Sequence, residues 1–257
     1  MSIDPRAVVS PDAQIADGVA IGPFAVIGPQ VSIGPGSWIG PHVVINGPTV
    51  IGAGNKVFQF ASIGEAPQDK KYQGEETRLL IGDRNVFREY VTVNRGTVTG
   101  IGETRIGNDN LLLAYTHIAH DCVLGDNIIL SNAVNLAGHV ELGDWVIMGG
   151  FAGSHQFCRI GAHAFIGNNT SVIRDIPPYV LATGHPAEPR SANIEGLKRR
   201  GFSEEQIRAI RNAYRVLYRS ELRLEEAVAQ LREMAAEHDC LTILVDFISQ
   251  STRSLAR

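Results

Sequence analysis

An aliphatic residue recurs at every sixth position along most of the first two-thirds of this 257-residue chain. The series reads Ile3, Val9, Ile15, Ile21, Ile27, Ile33, Ile39, Ile45, Ile51, Val57 and Ile63, and it returns in phase at Ile81. It then slips by one and continues through Ile106, Leu112, Ile118, Leu124, Leu130, Leu136, Leu142, Met148, Ile160, Ile166 and Val172, interrupted only by Ser154. A period of six matches neither the 3.6 of a helix nor the 2 of a flat strand, so each hexad is a short strand plus a turn. Glycine often follows the aliphatic residue, as after Ile21, Ile27 and Ile33, and the fifth position is small or β-branched, as at Ala25, Val31 and Ser37. Three hexads close one triangular coil, and coils stack at the strand spacing of roughly 4.8 Å. The expected architecture is mainly β, a parallel β-helix over residues 1–186. The period says nothing of its hand.

A net charge of −4 gives no reason to expect nucleic acid as a partner. No apolar run is long enough for a membrane span or a signal peptide, so the chain reads as cytoplasmic. Its three cysteines suit a reducing compartment. Cys122 and Cys158 hold the same hexad position two coils apart, roughly 9.6 Å by the coil spacing, which is too far for a disulfide.

Two stretches leave the rhythm. Residues 64–80 are polar with Gly and Pro and are expected to form a loop off the solenoid wall, while a shorter excursion over about 96–105 accounts for the slip. After Pro177-Pro178 the pattern becomes helical. Ser203 with Gln206 makes a capping box, and spacing such as Ile207, Ile210, Tyr214 and Leu217 predicts helices over about 204–219, 224–237 and 241–255. Residues 187–257 are therefore expected to be a small C-terminal α-helical domain that covers the solenoid's open end and its edge strands.

Residues eighteen apart lie one above another on such a prism, so the hexads that start at 118, 136 and 154 share a column. They carry His120, His139 and His155 on successive coils, with His117 just before the first, and none is at an inward position. A lone histidine at a solenoid corner is ordinarily a solvated surface group, and His42, His163, His185 and His238 are read that way. Four in one column point to chemistry. One reading is general-base catalysis by a neutral imidazole. The other is a zinc site like that of the hexapeptide trimers related to carbonic anhydrase. The neighbours favour the first: Asp121 follows His120, Gly138 offers an unencumbered backbone N–H suited to an oxyanion, and Gln156 adds an amide beside His155. No metal is expected.

The segments Gln59–Glu65 (QFASIGE), His117–Cys122 (HIAHDC), Leu136–His139 (LAGH), His155–Cys158 (HQFC) and Asn193–Phe202 (NIEGLKRRGF) carry a resemblance to a known family. In this order, and with this C-terminal region, they resemble the bacterial UDP-N-acetylglucosamine O-acyltransferases, which begin lipid A synthesis. The likeness spans the whole chain. It implies a left-handed β-helix and a homotrimer with active sites in the clefts between subunits. The activity it implies is transfer of a 3-hydroxyacyl group from acyl carrier protein to the 3-hydroxyl of UDP-N-acetylglucosamine, without a cofactor. In that likeness His120 is the general base, Asp121 supports it, and the Gly138 N–H stabilises the oxyanion. Gln68, Asp69, Lys71, His117, His139, His155, Gln156, Asn193, Glu195, Arg199 and Arg200 match positions that line the nucleotide and acyl sites. Lys and Arg pair with pyrophosphate, whereas Asn, Glu and Gln read hydroxyls and amides.

Asn168 matches the position at which the family sets acyl-chain length. Forty-eight residues separate it from His120, about 2.7 coils or roughly 13 Å along the axis, and this predicts a preference for chains of about 10 to 12 carbons over 14. From Lys198 to Arg219 basic residues outnumber acidic ones, and Arg208, Arg211 and Arg215 are expected to meet the acidic carrier protein. In Val93-Asn94-Arg95-Gly96-Thr97, Asn94 stands where the family usually has histidine, so a 3-amino analogue of the sugar nucleotide is the alternative acceptor. Within the same fold, the later N-acyltransferase of the pathway and acetyl-CoA-dependent sugar acetyltransferases are disfavoured by the HIAHDC segment and by a solenoid that begins at Ile3 with no separate N-terminal domain.

Overall fold

A computed structural model describes residues 2–257. Strands mostly two residues long fall on the hexads and end on the aliphatic residue, as in Ala20–Ile21, Val26–Ile27, Val31–Ile33 and Trp38–Ile39. Every third strand pairs in parallel with its counterpart one coil on, so that Ala20 faces Trp38 and Ile21 faces Ile39. This makes three flat faces, of eleven, nine and eight strands. The first face holds Ala20–Ile21, the second Val26–Ile27 and the third Val31–Ile33. Main-chain bonds run from coil to coil, for example from Gly22 N to Ile39 O at 2.8 Å.

Inside the prism the aliphatic residues form ladders. Ile27, Ile45, Ile63, Val93, Ile118 and Leu136 stack behind the second face, each almost wholly removed from water. Burial of one such side chain is worth roughly 1.5–3 kcal/mol, so the ladders add to the main-chain bonds that hold the coils together. A polar ladder lies at the corner between the third and first faces. Asn55, Asn85 and Asn110 are buried there. The Asn55 Oδ1 accepts from Asn85 N at 2.9 Å, the Asn85 Oδ1 from Asn110 N at 2.9 Å and the Asn110 Oδ1 from Ile128 N at 2.7 Å. Each amide thus satisfies a main-chain group of the next coil, which a buried polar side chain must do to be tolerated.

The excursions explain the phase. Leu79 pairs with Thr49, thirty residues back rather than eighteen, and Thr104 pairs with Leu79, twenty-five back. The first insertion adds two whole hexads and the rhythm returns in step, whereas the second adds a hexad and one residue and shifts it. Both leave from the corner between the second and third faces. Both are narrower than the expected spans of 64–80 and 96–105, because strands Arg78–Ile81 and Glu103–Ile106 belong to the third face. Leu79 and Thr104 are fully buried within them.

The first face continues past residue 186. Strand Val180–Thr183 is followed by the antiparallel strand Glu188–Ala192, so the sheet, not the helical region, occupies the residues just after the expected boundary. Four helices come next: α1 Ile194–Arg199, α2 Glu204–Arg219, α3 Leu224–Glu237 and α4 Thr242–Gln250. The capping box of α2 is present, with Gln206 N donating to the Ser203 Oγ and Ser203 N to the Gln206 Oε1. The last helix stops short of the expected 255. Its tail runs back to the solenoid, where the Ser251 Oγ donates to the buried Asp175 carboxylate at 2.6 Å and Ala256 N to the Asp175 carbonyl at 2.9 Å. Leu217, Leu231 and Leu241 form the helical core. Among the described residues, no helix is long and apolar enough to cross a membrane.

Candidate active site

His120 and Asp121 lie in the turn after strand His117–Ile118, at the corner from which both loops emerge. Asp121 has φ 59°, and His139, one coil on at the same turn position, has φ 63°. Asp and His are among the few side chains that enter this left-handed region readily. Gly138 lies over His120, Phe157 over His139, and His155 over Ala137. The four histidines therefore share one corner but not one column, since each holds a different position in its turn or strand.

The Asp121 side chain is fully buried. It accepts from the His120 Nδ1 at 2.8 Å, the Thr97 Oγ1 at 2.6 Å, Thr97 N at 3.0 Å and Ile101 N at 3.1 Å. Burial pushes its pKa up, but the hydrogen bonds from His120 and Thr97 and the nearby His139 outweigh it and hold the group below the usual carboxylate range. An ionised Asp121 only accepts, so the His120 Nδ1 carries the proton and the Nε2 is left as an acceptor. The N–H of Gly138 donates to no group among the described residues. His139 stands edge-on to His120, with ring centroids 5.1 Å apart, and stacks on Phe157 at 4.2 Å. Burial lowers its pKa, while Asp121 and the loop residue Asp69 pull the other way. His117 meets the Thr92 Oγ1 through Nδ1 at 2.7 Å, and burial followed by the proximity of His120 lowers its pKa as well.

The loop over 66–77 presents Gln68 and Lys71 to solvent, with Asp69 half-buried. Asp69 organises the turn by accepting from Lys71 N at 3.0 Å. Arg95 ties the loop down by donating to the Gly64 carbonyl at 2.5 Å and to the Tyr72 hydroxyl at 3.2 Å. The Asn94 Nδ2 adds a bond to the Ala66 carbonyl at 2.9 Å, while its buried Oδ1 has no partner among the described residues. His155 and Gln156 are exposed, and the Gln156 carbonyl accepts from the Arg253 Nη1 of the C-terminal tail at 2.6 Å.

Donor atoms of His120, Asp121 and His139 lie within 4.8 Å of one another, a spacing compatible with a metal ion. The Asp121 Oδ2 is already engaged by His120 and Thr97, so an ion would have to displace both. The three-histidine set of the zinc reading is not assembled, because His155 lies outside this group.

The remaining polar residues gather elsewhere. Asn193 caps α1, its Oδ1 accepting from Gly196 N at 3.2 Å. Asn193, Glu195, Arg199 and Arg200 line a pocket with Trp145 and with Ile129, Ile147 and Phe165 of the first face. This pocket flanks the corner between the third and first faces, so within one chain the width of the third face separates it from His120. That distance is roughly 15 Å at strand rise. His163 is not the solvated group expected. It is half-buried between Trp145 and Tyr179 and faces Arg200. Asn168 is exposed at the corner between the first and second faces. It is thus a different corner from that of His120, and the axial ruler omits the lateral step between them. Arg208, Arg211 and Arg215 are exposed along α2.

Sequence reasoning missed Thr97 as an anchor of Asp121, Phe157 stacked over His139, and the short helix α1. Only α1 left a readable signal, the Asn-x-x-Gly of its cap.

Residues 175–256 match the family model described as UDP N-acetylglucosamine O-acyltransferase, domain 2. The chain is 58% identical over 256 residues to the acyl-[acyl-carrier-protein]–UDP-N-acetylglucosamine O-acyltransferase of Thiobacillus denitrificans, covering 100% of this chain and 99% of that one. The solved UDP-N-acetylglucosamine acyltransferase of Francisella novicida superposes with a TM-score of 0.98 at 45% identity, over 99% of this chain and 94% of that one. The UDP-N-acetylglucosamine O-acyltransferase of Moraxella catarrhalis superposes with a TM-score of 0.98 at 44% identity over the whole of both chains. The solenoid is a left-handed β-helix with a small helical part at its C-terminal end.

Proposed function

This chain belongs to the UDP-N-acetylglucosamine O-acyltransferase family, and on that footing we propose that it transfers a 3-hydroxyacyl group from acyl carrier protein to the 3-hydroxyl of UDP-N-acetylglucosamine, the first step of lipid A biosynthesis. A sugar hydroxyl is a weak nucleophile, so its proton must leave as it attacks. The His120 Nε2 takes that proton, and Asp121 stabilises the resulting imidazolium through Nδ1. The hydroxyl oxygen bonds to the thioester carbonyl carbon, and the oxygen that becomes negative meets the Gly138 N–H. When the tetrahedral intermediate collapses the C–S bond breaks, the carrier's thiol leaves, and His120 returns the proton to it. No metal or cofactor enters the sequence of steps. The reducing cytoplasm suits a chain whose three cysteines are unpaired.

The observation that carries this reading is the split of the polar residues between two corners. His120, Asp121, His139 and the loop bearing Gln68, Asp69 and Lys71 flank one corner, and Asn193, Glu195, Arg199 and Arg200 flank another. Within one chain the width of the third face stands between them. A cyclic homotrimer brings them together, because a heterologous contact sets the first corner of one subunit against the second corner of the next. The test is subunit complementation. His120→Ala and Arg200→Ala are each expected to be severely impaired alone, and co-assembled trimers should regain activity in about a quarter of their clefts, the fraction that receives both intact halves under random mixing. Mixed trimers no more active than the parents would sink the shared site. Offering the 3-amino acceptor beside UDP-N-acetylglucosamine and weighing the products then decides the acceptor.

A further inference from the structure

Three rings follow one another up the corner between the third and first faces. His163 lies parallel to Trp145 (5° between planes) and to Tyr179 (14°), and Phe202 closes on it edge-on at 5.1 Å. Earlier coils of the same corner carry Gly36, Gly54, Arg84, Asp109 and Asn127, so the stack is confined to the coils beside α1. Its imidazole is fixed by packing and turns Nδ1 toward Arg200. The Arg200 Nη1 lies 3.2 Å from that nitrogen, and the Nη2 donates to the Trp145 carbonyl at 2.8 Å. A guanidinium has only donors, so Nδ1 must be bare. The His163 carbonyl accepts from the Asn193 Nδ2 at 2.9 Å, so one residue steadies two polar groups of the pocket.

We propose that His163 is a positioning residue for nucleotide binding: with the Trp145 carbonyl it occupies one N–H on each terminal nitrogen of Arg200 and sets the remaining N–H groups toward the diphosphate. This rests on the reading that Arg200 meets the sugar nucleotide. A long side chain held before the ligand arrives loses less rotamer freedom on binding. A protonated imidazole would repel the guanidinium and could not accept. Burial, and next the charge of Arg200, hold His163 down to about 4, so it remains an acceptor at neutral pH.

His163→Phe keeps a ring in the stack and removes the acceptor. It should raise the KM for UDP-N-acetylglucosamine about tenfold, the usual scale for losing a charge-assisted contact, with kcat and the donor KM within about threefold. His163→Gln, which restores an acceptor, should recover part of the loss. In an Arg200→Ala background His163→Phe should add nothing, because the residue acts through Arg200. An additive effect there, or an unchanged KM in His163→Phe when Arg200→Ala raises it, overturns the proposal. If Arg200→Ala itself leaves the nucleotide KM unchanged, the underlying placement of the nucleotide fails instead, and the proposal with it. A readout free of variants is the 15N spectrum of the native enzyme at pH 7, where His163 should carry its proton on Nε2. A proton on Nδ1 refutes the arrangement.

Discussion

The imidazole of His120 fills the space in which Gly138 would carry a Cβ: an atom built there comes within 2.6 Å of the ring's Cε1 and 2.8 Å of Nε2. Glycine at this position therefore serves twice, leaving its N–H open and letting the ring lie against the main chain of the next coil. Gly138→Ala should push the ring off Asp121 and lower kcat at least about tenfold, while His120→Ala should lower it at least about a hundredfold with the nucleotide KM within a few fold. Full turnover in Gly138→Ala would mean that the close approach is dispensable. Dialysis against a chelator should leave both enzymes and the wild type unaffected.

Arg208, Arg211 and Arg215 recur at helical spacing on the exposed side of α2 and carry no salt bridge among the described residues. A charge reversal at each should raise the KM for the acyl carrier protein and flatten its dependence on salt, since the attraction to an acidic partner is screened. Steady-state donor kinetics at two ionic strengths check this. Three variants with unchanged donor KM would remove α2 from the carrier's docking surface.

The corner occupied by Asn168 changes what a substitution there means. Within one chain the second face separates Asn168 from the His120 corner. Asn168→Gly should shift donor preference toward acyl chains longer than about 10 to 12 carbons, with chain-length competition assays as the readout. A wild-type enzyme that already favours 14 carbons would show that Asn168 does not close the channel.

Burial lowers the pKa values of His117, His139 and His163, the last to about 4. The unfolded chain, with histidines near 6.5, binds more protons than the native state between about pH 4 and 6.5. Stability is therefore complete above that window and declines as pH falls through it. Tm should drop on acidification from pH 7 to 4.5, and His163→Phe should show a shallower decline. An equal slope in that variant would assign the loss to other groups.

The solenoid was legible because its core depends on one repeated inward position, and a six-residue period survives any insertion of whole hexads. Even the second loop was readable, as a one-step slip at Ile106. Corner assignment was also available by counting. Forty-eight residues from His120 to Asn168 is not a multiple of eighteen, and the remainder of two hexads places Asn168 two corners round. The buried asparagines appear as Gly-x-x-Asn at Asn55, Asn85 and Asn110, a signal that periodicity of apolar residues does not register. His163 was not legible. Its stacking on Trp145 follows the eighteen-residue step, but Phe202 and Arg200 reach it from the helical region, and no spacing within the repeat reports those contacts. The shortened α4 has the same origin, since a tertiary bond to Asp175 outcompetes helical propensity in the tail.

Each coil is bonded to its neighbours through its strands and at its corner turns, and a corner can swell outward while the flanking strands stay paired. Both insertions, 66–77 and 95–102, exploit one such corner, that of His120, and leave the third-face strands paired in parallel, while the second face shifts register between Ile63 and Glu65 where the first loop departs. The scaffold thus behaves as a rack with exchangeable cassettes. Cutting 66–77 down to a tight turn should leave the prism standing and mute, and fitting a different cassette at that slot is the natural route to a new acceptor on an unchanged frame.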